Sequence, residues 1–92
     1  MNTILISYDL LTPGQKYTEL HNLIINTYGT RCKPLESFWL VRTSETAEQV
    51  RSFVDTNILD NNDKIIAINV TGDGAAWRGL SEANGQWIKN NL

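Results

Sequence analysis

Residues 3–9 (TILISYD) constrain the fold more than any other stretch of the chain. Five of the first six of these residues are β-branched or apolar, which predicts a β-strand. The strand ends on the carboxylate of Asp9, and a helix start follows, with Thr12 as N-cap, Pro13 at the first helical position and Gln15 in capping-box spacing. Asp9 then lies at the end of a buried strand, where folds of stacked strands and helices often keep their chemistry. The alternative is that Asp9 only terminates the strand and accepts hydrogen bonds from loop N–H groups.

Apolar spacing predicts the remaining elements in the order helix, two strands, helix, strand. The predicted helices cover residues 15–28 and 47–58, and the further strands cover 31–36, 37–42 and 64–70. Pro34 limits its own segment to a sheet edge, and Thr46 with Gln49 forms a capping box ahead of the second helix. The whole order is that of the ferredoxin-like split β-α-β arrangement, an α+β fold. We expect one such domain over residues 1–92, extended by a Gly-rich loop and a short helix begun by Ser81.

The three stronger strands are apolar on both faces of the predicted sheet. Two helices cover only one face of a four-stranded sheet, so the other face needs a cover of its own. A second copy packed sheet to sheet is the simplest cover and predicts a homodimer. The C-terminal segment of the same chain is the alternative for part of that face. The residues expected in the core are Leu5, Ile24, Leu40, Val54 and Ile66.

Composition excludes several classes of function. Cys32 and His21 are the only cysteine and histidine of the 92 residues, so neither an internal disulfide nor a structural zinc site is expected. No apolar run reaches the length of a membrane span and no secretory signal is visible, which predicts a cytoplasmic protein without membrane contact. The net charge of −2 argues against a generally basic nucleic-acid binder. Arg31, Lys33 and Arg42 could still form a local nucleic-acid-binding strip, or simply a solvated face.

The Gly-rich loop contains a candidate ligand site. Gly72, Asp73 and Gly74 could present backbone N–H groups to an anion, although Gly-Asp-Gly is also ordinary turn chemistry. Trp77 and Arg78 place a flat aromatic beside a guanidinium, which suits stacking on a base and binding a phosphate. The same pair suits a protein interface equally well.

Patterns typical of catalytic sites are otherwise missing from the sequence. The chain has no Gly-x-Ser-x-Gly elbow and no Ser–His–Asp set that its spacing supports. If the protein is an enzyme, a metal ion held by Asp9 is the remaining route. One carboxylate cannot build a useful Mg²⁺ site, whereas Asp9 from each of two copies could do so together.

Three local patterns resemble the small CRISPR-associated adaptation proteins of the second Cas family. They are residues 7–10 (SYDL), 37–41 (SFWLV) and 62–65 (NDKI). Residues 13–15 (PGQ) and 76–80 (AWRGL) are similar to the SinR-like, uncharacterised offshoot of that family.

The resemblance implies a ferredoxin-like homodimer with sheets packed together, acting in antiviral defence. It implies that Asp9 is the metal ligand and catalytic residue of a Mg²⁺-dependent endonuclease, and that the dimer binds nucleic acid or a nucleotide. The alternative function is a non-catalytic binding module. In that case the loop at residues 72–78 would capture a small phosphorylated ligand or a partner protein in a conflict between phage and host.

Overall fold

A four-stranded antiparallel sheet and three helices make up the domain. The computed structural model describes residues 1–11 and 14–92. The elements are β1 (Asn2–Asp9), α1 (Gln15–Thr27), β2 (Arg31–Leu35), β3 (Phe38–Thr43), α2 (Ala47–Asn57), β4 (Lys64–Asn69) and α3 (Glu82–Asn91). They follow one another in the predicted order. None of the described helices has the length and apolar character needed to cross a bilayer.

The strands lie side by side in the order β2-β3-β1-β4. β1 is central, pairing with β3 on one side and β4 on the other, with Leu5 opposite both Leu40 and Ile68. β2, which contains Pro34, lies at an edge, as its proline requires. The turn into β3 contains Ser37 at a φ of 54°, a backbone conformation that tight hairpin turns use.

Local capping chemistry explains where two of the helices begin. The predicted capping box of α2 is confirmed, because the Thr46 side chain accepts from the Gln49 N–H and the Gln49 side chain accepts from the Thr46 N–H. The Ser81 hydroxyl accepts the Asn84 N–H at 3.1 Å and begins α3. Gly14 precedes α1 at a φ of 82° without a side-chain cap. The cap predicted at residues 12 and 13 lies outside the described part of the chain.

The first face of the sheet carries the main core. Side chains of β1 and β3 pack there against α1 and α2, and the fully buried ones are Ile4, Ile6, Val41, Leu20, Ile24, Val50 and Val54. Burying one such side chain contributes about 1.5–3 kcal/mol. This layer therefore supplies most of the apolar stabilisation of the domain.

The C-terminal segment covers part of the second face. Cys32, Leu40 and Ile88 are buried there, and Leu5 and Trp87 pack against them. The sequence left two alternatives for covering this face, a second copy and the C-terminal segment of the same chain. The structure shows the C-terminal segment over part of it.

One core prediction is wrong, because it ignored which strand lies at the edge. Ile24, Leu40 and Val54 are buried and Leu5 is half-buried, but Ile66 is 53% exposed. Ile66 points to the second face from the edge strand β4, and the helix α3 packs on the β2 side of that face.

Candidate ligand groove

The loop between β4 and α3 is held in place by its own backbone hydrogen bonds. Gly72 adopts a φ of 75°, and its N–H donates to the Leu92 carbonyl at 2.8 Å. The Asp73 N–H donates to the Val70 carbonyl at 3.0 Å. The first bond ties the loop to the end of α3, so loop and helix form one unit over the second face.

Trp77 lies on the backbone of α3 at Gly85. A Cβ added at Gly85 would be 3.1 Å from the Trp77 Nε1 atom and 3.4 Å from its Cζ2 atom. The glycine inside this helix, which weakens helix propensity, thus makes room for the indole. Trp77 keeps 38% of its surface exposed, so the part that is not packed on the helix is available to a ligand.

A groove of about 440 Å³ lies between this loop, α3 and the second face of the sheet. Its lining is mainly apolar and comprises Leu5, Phe38, Leu40, Val70, Leu80, Ile88, Leu92, Pro34, Leu35, Ala75, Ala76, Gly74, Trp77, Asp73 and Arg78. Among the described residues that line it, Arg78 is the single basic side chain and Asp73 the single acidic one. The volume lies within the range of small-molecule sites, and a mostly apolar wall with few polar groups is typical of them.

Four of the five residues predicted to bind a ligand line this groove. They are Asp73, Gly74, Trp77 and Arg78, whereas Gly72 holds the loop to the end of α3. The N–H groups of Gly72 and Asp73 already donate within the protein, so neither is free for the anion nest considered from the sequence. Arg78 is the cationic side chain of the groove that can bind an anion.

Asp9 lies at the end of the central strand β1, beside the turn between β2 and β3, where the Tyr8 N–H donates to the Ser37 carbonyl at 3.2 Å. It is exposed, stands opposite Lys64 in the β1–β4 register and borders a shallow depression of about 250 Å³ with Ser7, Tyr8, Ile65 and Ile66. Over residues 1–11 and 14–92, no group of three or more His, Cys, Asp or Glu side chains is placed to hold a metal ion. A lone carboxylate facing a lysine position does not fit a Mg²⁺ site within one chain.

Two carboxylates close to the Asp9 end of β1 form salt bridges with one lysine. Lys16 Nζ lies 2.8 Å from Asp60 Oδ2 and 2.7 Å from Asp63 Oδ2. The second Asp63 oxygen accepts the Leu11 N–H at 3.0 Å. The hydrogen bond from Lys16, helped by the backbone N–H groups of Asp60 and Leu11, lowers the pKa of Asp63 to about 2. These contacts brace the loops beside Asp9.

The structure does not bring the three predicted nucleic-acid-binding residues together. Arg31 donates to the carbonyls of Tyr28 and Gly29 after α1. Lys33 lies near His21, on the first-face side. Arg42 points to the second face, where its Nη1 donates to the Thr3 hydroxyl at 2.7 Å and to the Asn91 carbonyl at 3.0 Å.

The role of Arg42 is therefore visible in the fold. Its cation meets the C-terminal end of α3, where positive charge is favourable because carbonyls without helical partners collect there. The Thr3 hydroxyl also donates to the Asn91 carbonyl, so one strand residue and one cation hold the end of the helix on the sheet.

Sequence reasoning missed a polar network inside the first core. Trp39 Nε1 donates to the Tyr8 hydroxyl at 3.0 Å, and His21 Nε2 lies 3.1 Å from the same oxygen. Because an indole N–H can only donate, the Tyr8 oxygen accepts from Trp39, and the tautomer of His21 sets the direction of its bond to Tyr8. Burial, with a smaller effect of Lys33, lowers the pKa of His21, and burial raises the pKa of Tyr8 to about 12. Alternation along residues 38–41 predicts that Trp39 and Val41 point to one face and Phe38 and Leu40 to the other, but only the register and the docking of α1 bring the three rings together.

Comparison with protein-family models, with curated proteins and with solved structures finds no match for the chain.

Proposed function

We propose that the protein is a non-catalytic binding module whose groove takes a small ligand with an apolar body and a single anionic group, such as a monophosphate. The observation that carries the proposal is the apolar groove with Trp77 and Arg78 together at its loop wall. The apolar floor would bury the body of the ligand, the indole would stack on it, and the guanidinium would bind the anion.

The charges of the lining favour a ligand with one anionic group over a chain of phosphates. Arg78 brings one positive charge and Asp73 one negative charge to the same groove. A chain of phosphates needs several cations along its path, and Arg42 is engaged with α3 instead. A short ligand with one anionic group needs only Arg78.

The test compares the binding of two fluorescent probes that have similar aromatic bodies and differ in charge. Anilinonaphthalene sulfonate has an aromatic body and one anionic group, and phenylnaphthylamine is its uncharged counterpart. We expect the wild-type protein to bind both probes. Arg78→Gln should weaken binding of the sulfonate by about tenfold or more, since one charge-assisted hydrogen bond contributes about 1.5–3 kcal/mol, and should leave binding of the uncharged probe unaffected.

Two further variants control this result. Trp77→Ala should weaken both probes, because it removes stacking rather than charge. Arg51→Gln, in an exposed arginine of α2, should change neither. Equal sulfonate affinity in the wild type and Arg78→Gln would refute the role of Arg78, and no binding of either probe by the folded protein would refute the groove as a ligand site.

The domain itself we propose to be ferredoxin-like, with α3 as a C-terminal extension. The support is the sheet order β2-β3-β1-β4, with α1 and α2 together on the first face. The extension is what makes the groove, since the loop and α3 form two of its walls.

A Mg²⁺-dependent nuclease, which the resemblance to the second Cas family implies, is a separate proposal with a narrower basis. It rests on the exposure of Asp9 at the end of β1 and would need Asp9 from a second copy. It requires cleavage of DNA or RNA by the wild type and a loss of more than about tenfold in Asp9→Asn. Asp55→Asn, at an exposed carboxylate of α2, is the matched control.

A further inference from the structure

The strand β4 presents an open edge whose free hydrogen-bonding groups can be identified. β4 is the last strand of the sheet order, and the Val70 N–H donates to the Thr3 carbonyl at 2.9 Å. In the antiparallel register this makes every second residue of β4 turn its backbone groups toward β1. The N–H and C=O groups of Ile65, Ala67 and Asn69 therefore point away from the sheet. No described residue hydrogen-bonds to these groups of Ile65 and Ala67.

Two isoleucines on the same strand are exposed on the second face. Ile66 is 53% and Ile68 44% exposed, and they stand opposite Ser7 and Leu5 of β1. An edge with free backbone groups and large apolar side chains beside it is a surface on which strands associate. The β4 edge can therefore bind a further strand through its free backbone groups.

We propose that the β4 edge pairs with the β4 edge of a second copy, antiparallel about a two-fold axis at Ala67. Ala67 then stands opposite its own counterpart as a hydrogen-bonded pair, and each Ile66 stands opposite the Ile68 of the other copy. The four isoleucines form one apolar strip on the second face, and the two sheets continue into one of eight strands.

The edge fits a second copy better than it fits an unrelated strand because it is complementary to itself. In this register Ala67 pairs with its own counterpart, Ile65 pairs with the Asn69 of the other copy, and both cross-strand isoleucine pairs form at once. Lys64 stands opposite Val70, so the two lysines lie at opposite ends of the junction and do not repel. A two-fold axis one residue away, at Ile66, would keep only one isoleucine pair, between the two copies of Ile66, and would place each Lys64 opposite an Ile68.

A disulfide trap tests the register directly, with both variants built in a Cys32→Ala background. Ile66→Cys and Ile68→Cys are made in separate chains, purified and mixed under mild oxidation. Residues of a non-hydrogen-bonded pair have Cα atoms about 4.5 Å apart, within the range that a disulfide bridges. We expect a disulfide-linked dimer in the mixture and in neither variant alone, because in that register two copies of residue 66 lie only diagonally, about 7–8 Å apart. Linkage in Ile66→Cys alone would refute the axis at Ala67.

Sedimentation over a concentration series tests the association without any cysteine. We expect the wild type to form dimers at micromolar concentration, and Ile68→Lys to remain monomeric because it places charge beside the junction. Ile25→Lys is the matched control, since Ile25 on α1 is 43% exposed and lies away from the edge. Circular dichroism confirms that each variant is folded. A wild type that stays monomeric throughout, or an Ile68→Lys variant that dimerises as well as Ile25→Lys, would refute the proposal.

Discussion

The contact between Gly85 and Trp77 predicts how Gly85→Ala changes the free energy of unfolding. Alanine is favoured over glycine inside a helix by about 1 kcal/mol, so Gly85→Ala on its own should stabilise α3. The new methyl group, however, would lie 3.1 Å from Trp77 Nε1. Since carbon contacts are comfortable at about 3.5–4.0 Å, the indole has to move away by several tenths of an ångström.

The free-energy cost of crowding between the new methyl group and the indole is measured by removing Trp77. In a Trp77→Ala background the crowding is gone, and Gly85→Ala should gain the full helix propensity of about 1 kcal/mol. With Trp77 present, crowding of a packed site offsets this gain by a similar amount. We therefore expect a coupling free energy of about 1 kcal/mol between the two positions, well above the ~0.3–0.5 kcal/mol scatter of independent sites.

Urea unfolding of the four proteins, followed by far-ultraviolet circular dichroism, measures the cycle. Circular dichroism is preferred to fluorescence because two of the four proteins lack Trp77. Gln86→Ala, at an exposed neighbour in the same helix, should have the same effect in both backgrounds. If Gly85→Ala changes the free energy of unfolding equally with and without Trp77, the indole does not lie on Gly85, and the loop wall of the groove is wrongly placed.

Three further predictions concern stability. Arg42→Gln should cost about 1–3 kcal/mol of unfolding free energy, because it removes the charged hydrogen bonds at the end of α3, whereas Arg51→Gln should cost under about 0.5 kcal/mol. Ile24→Ala should cost about 2–5 kcal/mol by leaving a cavity, and Ile66→Ala under about 1 kcal/mol in the monomer, as chemical denaturation will show. The lowered pKa of Asp63 stabilises the fold fully above about pH 4 and is lost as the pH falls toward about 2, so acid titration of Asp63→Asn should show a flatter pH dependence than the wild type over that window. An equal slope in the two proteins would contradict the Lys16 contact.

Periodicity and capping chemistry predict the elements well because both are local. The capping box at Thr46 and Gln49 involves residues of one turn, and it is present as expected. The alternation in β3 placed Trp39 and Val41 on one face and Leu40 on the other, which is also observed. In each case the physical cause lies within a few residues of the position it determines.

The errors concern properties that depend on distant parts of the chain. Ile66 has the local pattern of a buried residue, but its exposure depends on β4 being an edge strand and on α3 lying toward β2. Arg42 is found at the end of α3 because a helix formed from residues far along the chain ends beside it. The groove follows the same logic, since its walls come from three separated segments. Loop composition indicated Trp77 and Arg78 as candidates, but the apolar floor beneath them was not visible in that composition.

The central position of β1 has a consequence for how the chain folds during synthesis. β1 is the first strand to be made, yet its neighbours β3 and β4 come later, and Ile4 is paired with Asn69. At the far end, Thr3 contacts Asn91. Contacts between residues so distant in sequence slow folding. One edge of this apolar strand can pair with β3, but the other stays unpaired on the ribosome until β4 has emerged, so a nascent chain stalled before β4 would expose that edge of β1 to chaperones.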